Sequence, residues 1–322
     1  MSMSRNPLRP ALLAAARSAR LEQAVTRLPV TRGLVDRFVA GDTTDAVLAV
    51  VRALRRQSLS VTVDYLGEDI TQPEQAQQVV REYETLLRAL SDLGSDTPDD
   101  RPRPLEVSVK LSALGRSLPD TGQDTALAHA RTIVEAAAAR GIWVTFDAED
   151  HTTTDSTLAI VRELRRDHPD TVGTVLQAYL RRTEADCEEF ADAGARIRLC
   201  KGAYDEPATV AHRGRRDVDA AYLRCLRILM AGKGYPMVAT HDPTLIGSAA
   251  LLATTARRGT DDFEYQMLYG VREDEQARLT GLGQRLRVYV PFGDQWYAYF
   301  VRRLAERPAN LMFFLRAAAP RK

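Results

Sequence analysis

Eight short runs rich in β-branched residues alternate with amphipathic segments along most of this chain, and this alternation constrains the fold more than any other feature. The runs are SVTVDYL (60–66), LEVSVKLS (105–112), IWVTFDAE (142–149), TVLQAYL (174–180), ARIRLCKG (195–202), MVATHD (237–242), FEYQMLYG (263–270) and LRVYVPFG (286–293). The segments between them repeat apolar residues every three to four positions, which is typical of surface helices. Strands that alternate with helices predict a parallel sheet, and eight such units predict a closed (β/α)8 barrel of the TIM type.

An open, doubly wound sheet is the alternative arrangement of the same elements. That fold carries a glycine-rich nucleotide fingerprint directly after its first strand. In this chain the segment Gly281-Leu282-Gly283 precedes a strand run instead of following one. The barrel is therefore the favoured fold.

Helix boundaries carry signals of their own. Thr71-Gln72-Pro73-Glu74 fits a capping box with proline in the first turn, and several helical segments end at glycine, as C-caps do. Two helical patterns, LLAAARSARLEQAV and TTDAVLAVVRALRRQ, precede the first strand run and are separated by Gly41-Asp42. We therefore expect an N-terminal helical segment over residues 1–58 and a catalytic barrel over residues 59–322.

Composition and charge narrow the class of protein. The 322 residues carry Lys+Arg 44 against Asp+Glu 43, a net charge of +1, so no basic field attracts nucleic acid. Cys187, Cys200 and Cys225 are too few and too scattered for a disulfide framework or a Cys-rich zinc module. No apolar stretch approaches the roughly 18 residues of a spanning helix, and the N-terminal segment reads as a helix, not a signal peptide. We expect a soluble, cytoplasmic protein.

Polar residues collect late in the strand runs. They are Lys110, Asp147, Glu149, Gln177, Arg198, Lys201, His241, Asp242, Gln266 and Tyr289. Because a (β/α)8 barrel builds its active site at the carboxyl ends of its strands, this set predicts a functional rim. Barrel interiors also hold structural lysines and glutamines, but packing alone explains so many late polar positions poorly.

The charges of this rim favour one kind of ligand. Lys110, Arg198 and Lys201 suit an anionic substrate together with an anionic cofactor, and they disfavour a bare divalent metal. A metal site formed by the rim carboxylates and His241 is the alternative, although Asp-Ala-Glu is a strand spacing and no HxH or HExxH accompanies it. At a strand end, His241 is equally compatible with a hydrogen-bonded structural role.

The C-terminal segment from Trp296 to Glu306 adds a further cationic element. On a helix, Tyr299, Arg302, Arg303 and Glu306 share one face by their three- and four-residue spacing. Two guanidinium groups offer bidentate recognition of a carboxylate, and Glu306 is close enough to orient one of them. A solvated basic patch on the last helix is the alternative.

Taken together in their order along the chain, these segments resemble the catalytic domain of the proline dehydrogenases over about residues 60–310. The matching pieces are VSVKLSALG, FDAED, LQAYLRR, RLCKGAY, ATHDP, EYQMLYGVR and RVYVPFGDQWYAYFVRRLAE. RLCKGAY followed by YxxRRxxE is a specific combination. The WYAY form resembles the short monofunctional bacterial members, so at 322 residues we expect neither the aldehyde dehydrogenase half nor the DNA-binding extension of the bifunctional proline-utilisation proteins. The resemblance implies a distorted (β/α)8 barrel, with a C-terminal helix over its mouth, that binds FAD without a Rossmann domain.

The resemblance also implies a role for each matching residue. The residues expected around the reacting atoms are Asp147, Arg198 and Lys110. Those expected at FAD are Ala148, Gln177, Arg198, Lys201, Gly202, Ala203, Thr240, His241 and Glu306. Those expected around the substrate are Lys110, Arg302, Arg303, Tyr204, Tyr289 and Tyr299, with the arginine pair clamping a carboxylate. Tyr289 is expected to affect specificity, because members that prefer hydroxyproline resemble one another in carrying a smaller residue there.

These roles imply oxidation of L-proline to Δ1-pyrroline-5-carboxylate by hydride transfer from ring C5 to flavin N5, the first step of proline catabolism. The implied electron acceptor is a membrane quinone, reached by peripheral contact at the inner face of the membrane, and a separate pyrroline-5-carboxylate dehydrogenase is expected downstream. Neither a metal nor nucleic acid is expected. Two other functions stay open: a metal-dependent barrel hydrolase or lyase, and a non-catalytic barrel that senses proline or flavin.

Overall fold

The structure is a computed structural model that describes residues 35–93, 103–297, 299 and 300, and its centre is a closed parallel barrel. The strands are β1 (Ser60–Tyr65), β2 (Leu105–Val109), β3 (Trp143–Phe146), β4 (Val172–Gln177), β5 (Arg196–Cys200), β6 (Tyr235–Ala239), β7 (Glu264–Leu268) and β8 (Leu286–Phe292). Each strand pairs in parallel with the next along the chain, and β8 closes the barrel by pairing with β1. The predicted (β/α)8 barrel is confirmed.

Helices connect successive strands and surround the barrel. In the described residues they are α1 (Thr44–Arg55), α2 (Pro73–Ser91), α3 (Gly122–Ala138), α4 (Thr154–Asp167), α5 (Thr183–Asp192), α6 (Arg215–Ala231), α7 (Pro243–Thr255) and α8 (Glu273–Gly281). α1 precedes β1, and single 3-10 turns at Leu111–Leu114 and His151–Thr153 follow β2 and β3. None of the helices that the structure describes combines the length and the apolarity needed to cross a bilayer.

Two local expectations from the sequence are wrong in detail. α2 has no side-chain cap at its start: its N-cap is Gln72 in an extended conformation, because Pro73 occupies the first turn and leaves Thr71 outside the helix. The run TVLQAYL does not continue as a strand beyond Gln177, and MVATHD ends as a strand at Ala239. In both runs the polar residues that follow belong to the loops at the barrel rim.

The apolar core lies between the barrel and its helices. Outward-facing strand residues such as Val61 and Val107 are fully buried in one cluster with helix residues such as Leu87 and Leu164. Strand side chains alternate between the two faces of a sheet, so the neighbouring positions point into the barrel. The alternation along the strands therefore places an apolar layer between the barrel and the helices and points the other strand side chains into the barrel.

The inside of the barrel is charged, which is unusual because branched apolar side chains dominate most such interiors. Glu106 of β2 pairs with both Arg196 and Arg198 of β5, and these strands are not neighbours, so the side chains meet across the interior. Gly173 of β4 makes room for them: a Cβ there would lie 2.9 Å from the carbonyl oxygen of Arg196 and 3.2 Å from its Nη1. The strands thus enclose a network of ion pairs.

Several sequence predictions lie outside the described residues. They are the helix at LLAAARSARLEQAV and the C-terminal residues Arg302, Arg303 and Glu306.

Candidate active site

All eight strands run in parallel, so their carboxyl ends meet at one mouth of the barrel. Lys110 and Asp147 directly follow β2 and β3, whereas Arg198 and Tyr289 lie within β5 and β8. Alternation along β2 puts Lys110 on the same inward face as Ser108. The topology therefore directs residues that are far apart in sequence toward a common centre.

Asp147 is that centre. Its Oδ1 accepts hydrogen bonds from Arg198 Nη1 at 2.9 Å and from Ser108 Oγ at 2.8 Å. Its Oδ2 accepts from the Tyr289 hydroxyl at 2.8 Å and lies 3.6 Å from Lys110 Nζ. One carboxylate thus connects four other side chains, and its own side chain keeps 14% of its surface exposed.

Lys110 is held by a carboxylate that sequence reasoning missed. Its Nζ donates to both oxygens of Asp64, at 2.9 Å and 2.7 Å. Burial lowers the pKa of Lys110, but the negative charges of Asp64 and Asp147 outweigh burial and raise it, so the side chain stays an ammonium. The available signal was alternation, because Asp64 follows Thr62 on the inward face of β1.

The guanidinium of Arg198 is fixed from several directions. Its Nε donates to Gln266 Oε1 at 2.6 Å, and its Nη2 donates to Glu106 Oε1 at 2.5 Å. Its Cζ lies 5.1 Å from the centre of the Tyr289 ring. Burial raises the pKa of Tyr289 well above its usual value, and the negative charge of Asp147 adds to this, so the phenol stays a neutral donor.

The loop after β5 presents a second cation at the mouth. Lys201 Nζ donates to Asp219 Oδ1 at 2.5 Å and to Asp242 Oδ2 at 3.0 Å. Gly202 has a φ of +106°, and a Cβ at this position would lie 2.2 Å from ring atoms of Tyr179. A glycine is therefore required where the backbone passes over this ring. Ala203 and Tyr204, which follow, are both partly exposed.

The remaining predicted rim residues make hydrogen bonds at the carboxyl ends of the strands. Gln177 Nε2 donates to the carbonyl oxygen of Glu149 at 2.7 Å, one residue beyond the partly exposed Ala148. Thr240 Oγ1 accepts from the backbone N–H of Asp242 at 3.1 Å. His241 Nε2 accepts from the backbone N–H of Leu268 at 3.0 Å.

Tyr299 packs in an apolar cluster that also contains Phe38, Leu66 and Phe300, and it is 7% exposed. Of the predicted site residues, the structure brings Lys110, Asp147, Arg198 and Tyr289 into direct contact.

The acidic residues of the rim are bound to cations. Asp147 pairs with Arg198, Glu149 with Arg116 at 2.5 Å, and Asp242 with Lys201. Within residues 35–93, 103–297, 299 and 300, no three His, Cys, Asp or Glu side chains are grouped so that they could hold a metal ion. The pairing of the carboxylates with cations disfavours the metal-centred alternative.

Sequence reasoning also missed the charged residues deeper in the barrel. They are Glu106, Arg196, Glu264 and Arg287, all 5% exposed or less. Each stands two positions before a polar residue of the same strand, so strict alternation marked it as inward-facing.

Comparison with known proteins points to one family. The family model described as "Proline dehydrogenase" matches residues 47–316. Proline dehydrogenase of Deinococcus radiodurans is 39% identical over 284 residues, which cover 87% of this chain and 88% of the relative. Proline dehydrogenase 1 of Bacillus subtilis (strain 168) is 37% identical over 280 residues, which cover 87% of this chain and 89% of the relative.

Solved structures show the same fold in longer proteins. Proline utilization A from Bdellovibrio bacteriovorus, inactivated by N-propargylglycine, superposes with a TM-score of 0.78 at 26% identity and covers 91% of this chain. Proline utilization A from Bradyrhizobium japonicum superposes with a TM-score of 0.70 at 24% identity over 88% of this chain, which shows the fold alone. This chain spans about a third of the length of both, 34% and 32%.

The family match extends over the whole barrel, from the first turn of α1 to beyond β8, and the relatives are matched over nearly nine-tenths of their length. On this evidence the chain belongs to the proline dehydrogenase family.

Proposed function

We propose that this chain oxidises L-proline to Δ1-pyrroline-5-carboxylate with FAD as its cofactor. The observation that supports this most directly is the cluster of Lys110, Asp147, Arg198 and Tyr289 at the mouth of a barrel of this family. The cluster presents fixed positive charge beside a neutral phenol, which suits a small zwitterion that carries a carboxylate.

The residues at the mouth fit FAD. Lys201 supplies a cation, Gly202 lets the loop that follows it pass over the Tyr179 ring at the mouth, and Arg198 supplies a guanidinium with fixed orientation. A cation and a glycine-bearing loop are what an anionic dinucleotide requires. We propose that the residues holding it are Ala148, Gln177, Arg198, Lys201, Gly202, Ala203, Thr240, His241 and Glu306. When bound, FAD supplies the hydride acceptor at its N5 atom.

The substrate carboxylate requires fixed cations. Lys110 remains an ammonium because Asp64 and Asp147 lie beside it. We propose that Arg302 and Arg303 complete the clamp, with each buried charge-assisted contact contributing about 1.5–3 kcal/mol. Aromatic walls around the ring are proposed for Tyr204, Tyr289 and Tyr299, with Tyr289 affecting specificity.

Proton and charge balance follow from the same cations. Positive charge around the bound substrate lowers the pKa of its amine, so that the amine releases a proton to water before hydride leaves. Asp147 keeps Arg198 and Lys110 in fixed positions through its two oxygens. Arg198 then stabilises the negative charge that develops on the hydride acceptor.

The wider role is also part of the proposal. Electrons pass to a membrane quinone through peripheral contact at the inner face of the membrane, from a protein that is otherwise cytoplasmic. A separate pyrroline-5-carboxylate dehydrogenase consumes the product. In this arrangement residues 59–322 form the catalytic barrel, and residues 1–58 form the N-terminal segment that precedes it.

Substitution of the proposed clamp tests the assignment. Arg302→Ala and Arg303→Ala are each expected to raise the KM for proline by about tenfold or more while FAD stays bound. Arg227→Ala, on the exposed surface of α6, is the matched control and is expected to leave KM unchanged. A clamp variant that binds FAD and keeps the wild-type KM would refute the clamp.

A further inference from the structure

A second charged layer lies beneath the residues at the mouth. Its members are Glu106, Arg196, Glu264, Gln266 and Arg287, each 5% exposed or less. Removing charged side chains from water is costly, and apolar residues of similar volume usually serve stability as well or better. Such a layer therefore points to a requirement other than stability.

Glu106 connects this layer to the mouth. Its side chain is fully buried, and its Oε1 accepts from Thr62 Oγ1 at 2.7 Å and from Arg198 Nη2 at 2.5 Å. Its other oxygen pairs with Arg196 Nη2. One carboxylate on β2 thus holds two arginines of β5 across the interior.

The other bonds of Arg198 leave one side of its guanidinium to Glu106. Nε is held by Gln266, and Nη1 is held by Asp147 and by Ser108 Oγ at 2.9 Å. Nη2 bonds to Glu106. Because a guanidinium is planar, bonds on three sides fix both its position and the direction in which it faces.

The carboxylate also balances charge. In the described barrel interior, four cations accompany four carboxylates: Lys110, Arg196, Arg198 and Arg287 with Asp64, Glu106, Asp147 and Glu264. Burial alone would raise the pKa of Glu106, but the positive charges of Arg196, Arg198 and Arg287 outweigh it and lower the pKa to about 2. Glu106 is therefore ionised at neutral pH, and a neutral replacement would leave the interior with one excess positive charge.

We propose that Glu106 is a positioning residue that sets both the orientation and the effective charge of Arg198, and that it thereby tunes the reduction potential of a flavin bound above it. This inference rests on the proposed function, because it assigns the flavin to the mouth. It distinguishes two effects: the negative charge of Glu106 lowers the potential, and its hydrogen bond to Arg198 maintains kcat.

Two substitutions at this position separate those effects. Glu106→Gln removes the charge but keeps the shape and an acceptor oxygen for Arg198, so it is expected to raise the flavin reduction potential while kcat changes much less than in Glu106→Asp. Glu106→Asp keeps the charge but withdraws the carboxylate toward β2, so it is expected to lower kcat while the potential stays near the wild-type value.

Glu264→Gln is the matched control. It removes another buried negative charge in the same barrel, but Glu264 bonds to Arg287 at 2.6 Å and is connected to Arg198 through Gln266. The expected change in kcat is within about threefold, and the rise in potential is smaller than for Glu106→Gln, because electrostatic effects decrease with distance. A merely structural role predicts equal effects of Glu106→Gln and Glu264→Gln.

The measurements are the flavin potential, determined by chemical reduction against a reference dye, and the separate values of kcat and KM. Equal effects of the two glutamine variants, or a Glu106→Asp protein with wild-type kcat, would overturn the proposal. If Glu106→Gln does not fold, the kcat of Glu106→Asp tests the proposal: a wild-type kcat overturns it, and a lowered kcat with an unchanged potential supports it. A wild-type flavin that proline does not reduce would refute the proposed function instead, and the dye-based potentials would still test Glu106.

Discussion

Acid should weaken this protein through Glu106 in a way that can be calculated from the structure. Burial of its carboxyl is outweighed by three buried arginines, so its pKa falls to about 2 from an ordinary value of 4.5. Since the folded-state pKa is the lower one, the folded state is stabilised above pH 4.5, and this stabilisation is lost as the pH falls toward 2. A difference of about 2.5 pKa units corresponds to about 3 kcal/mol at neutral pH. At pH 3.5, about 1 kcal/mol of this is already lost.

Urea unfolding of the wild-type protein and of Glu106→Gln at pH 7 and pH 3.5 measures the contribution of the Glu106 carboxylate to the free energy of unfolding. The variant does not titrate at this position, so other acidic groups cancel in the comparison. The wild-type protein should lose about 1 kcal/mol more of its unfolding free energy between the two pH values than the variant does. An equal loss in both proteins would refute the ionised state and the pairing assigned to Glu106.

Two further predictions concern the rim. Gly202→Ala places a Cβ 2.2 Å from the Tyr179 ring at a φ of +106°, so it should lower the Tm and the flavin-to-protein absorbance ratio. Gly247→Ala is the matched control: a Cβ at this position of α7 meets nothing within 4 Å, so the variant should be more stable by about 0.5–1 kcal/mol. Equal Tm changes would contradict this reading of the loop. Asp64→Asn removes the negative charge beside the Lys110 ammonium and therefore lowers the pKa of Lys110. As the pH is raised, the KM for proline should start to increase at a lower pH in this variant than in the wild-type protein, which a pH series of KM measures. An unchanged pH dependence would contradict the role of Asp64.

The strands and helices were predictable because their signals are local. A period of two marks the strands and a period of 3.6 marks the helices, and eight alternating units leave few other topologies. The predicted capping box at Thr71 was wrong for a local reason as well. Pro73, with its fixed φ, begins α2, and Thr71 makes no side-chain cap. Local patterns therefore predicted the architecture but not every boundary.

The rim residues were predictable for a topological reason, since parallel strands bring their carboxyl ends together. The deeper layer was missed because its partners are distant: Glu106 bonds to residues about 90 positions away, and no local pattern reports such a pairing. The alternation Glu106, Ser108, Lys110 did carry the information. It was overlooked because barrel interiors are usually apolar.

The most direct test of the central claim is an anaerobic titration of the purified protein with L-proline. The proposed function predicts a bound flavin whose absorbance at about 450 nm is lost as proline is added. A flavin that binds but keeps its absorbance would indicate a sensor instead of an enzyme. A protein that neither carries nor takes up flavin would contradict the account of the barrel mouth altogether.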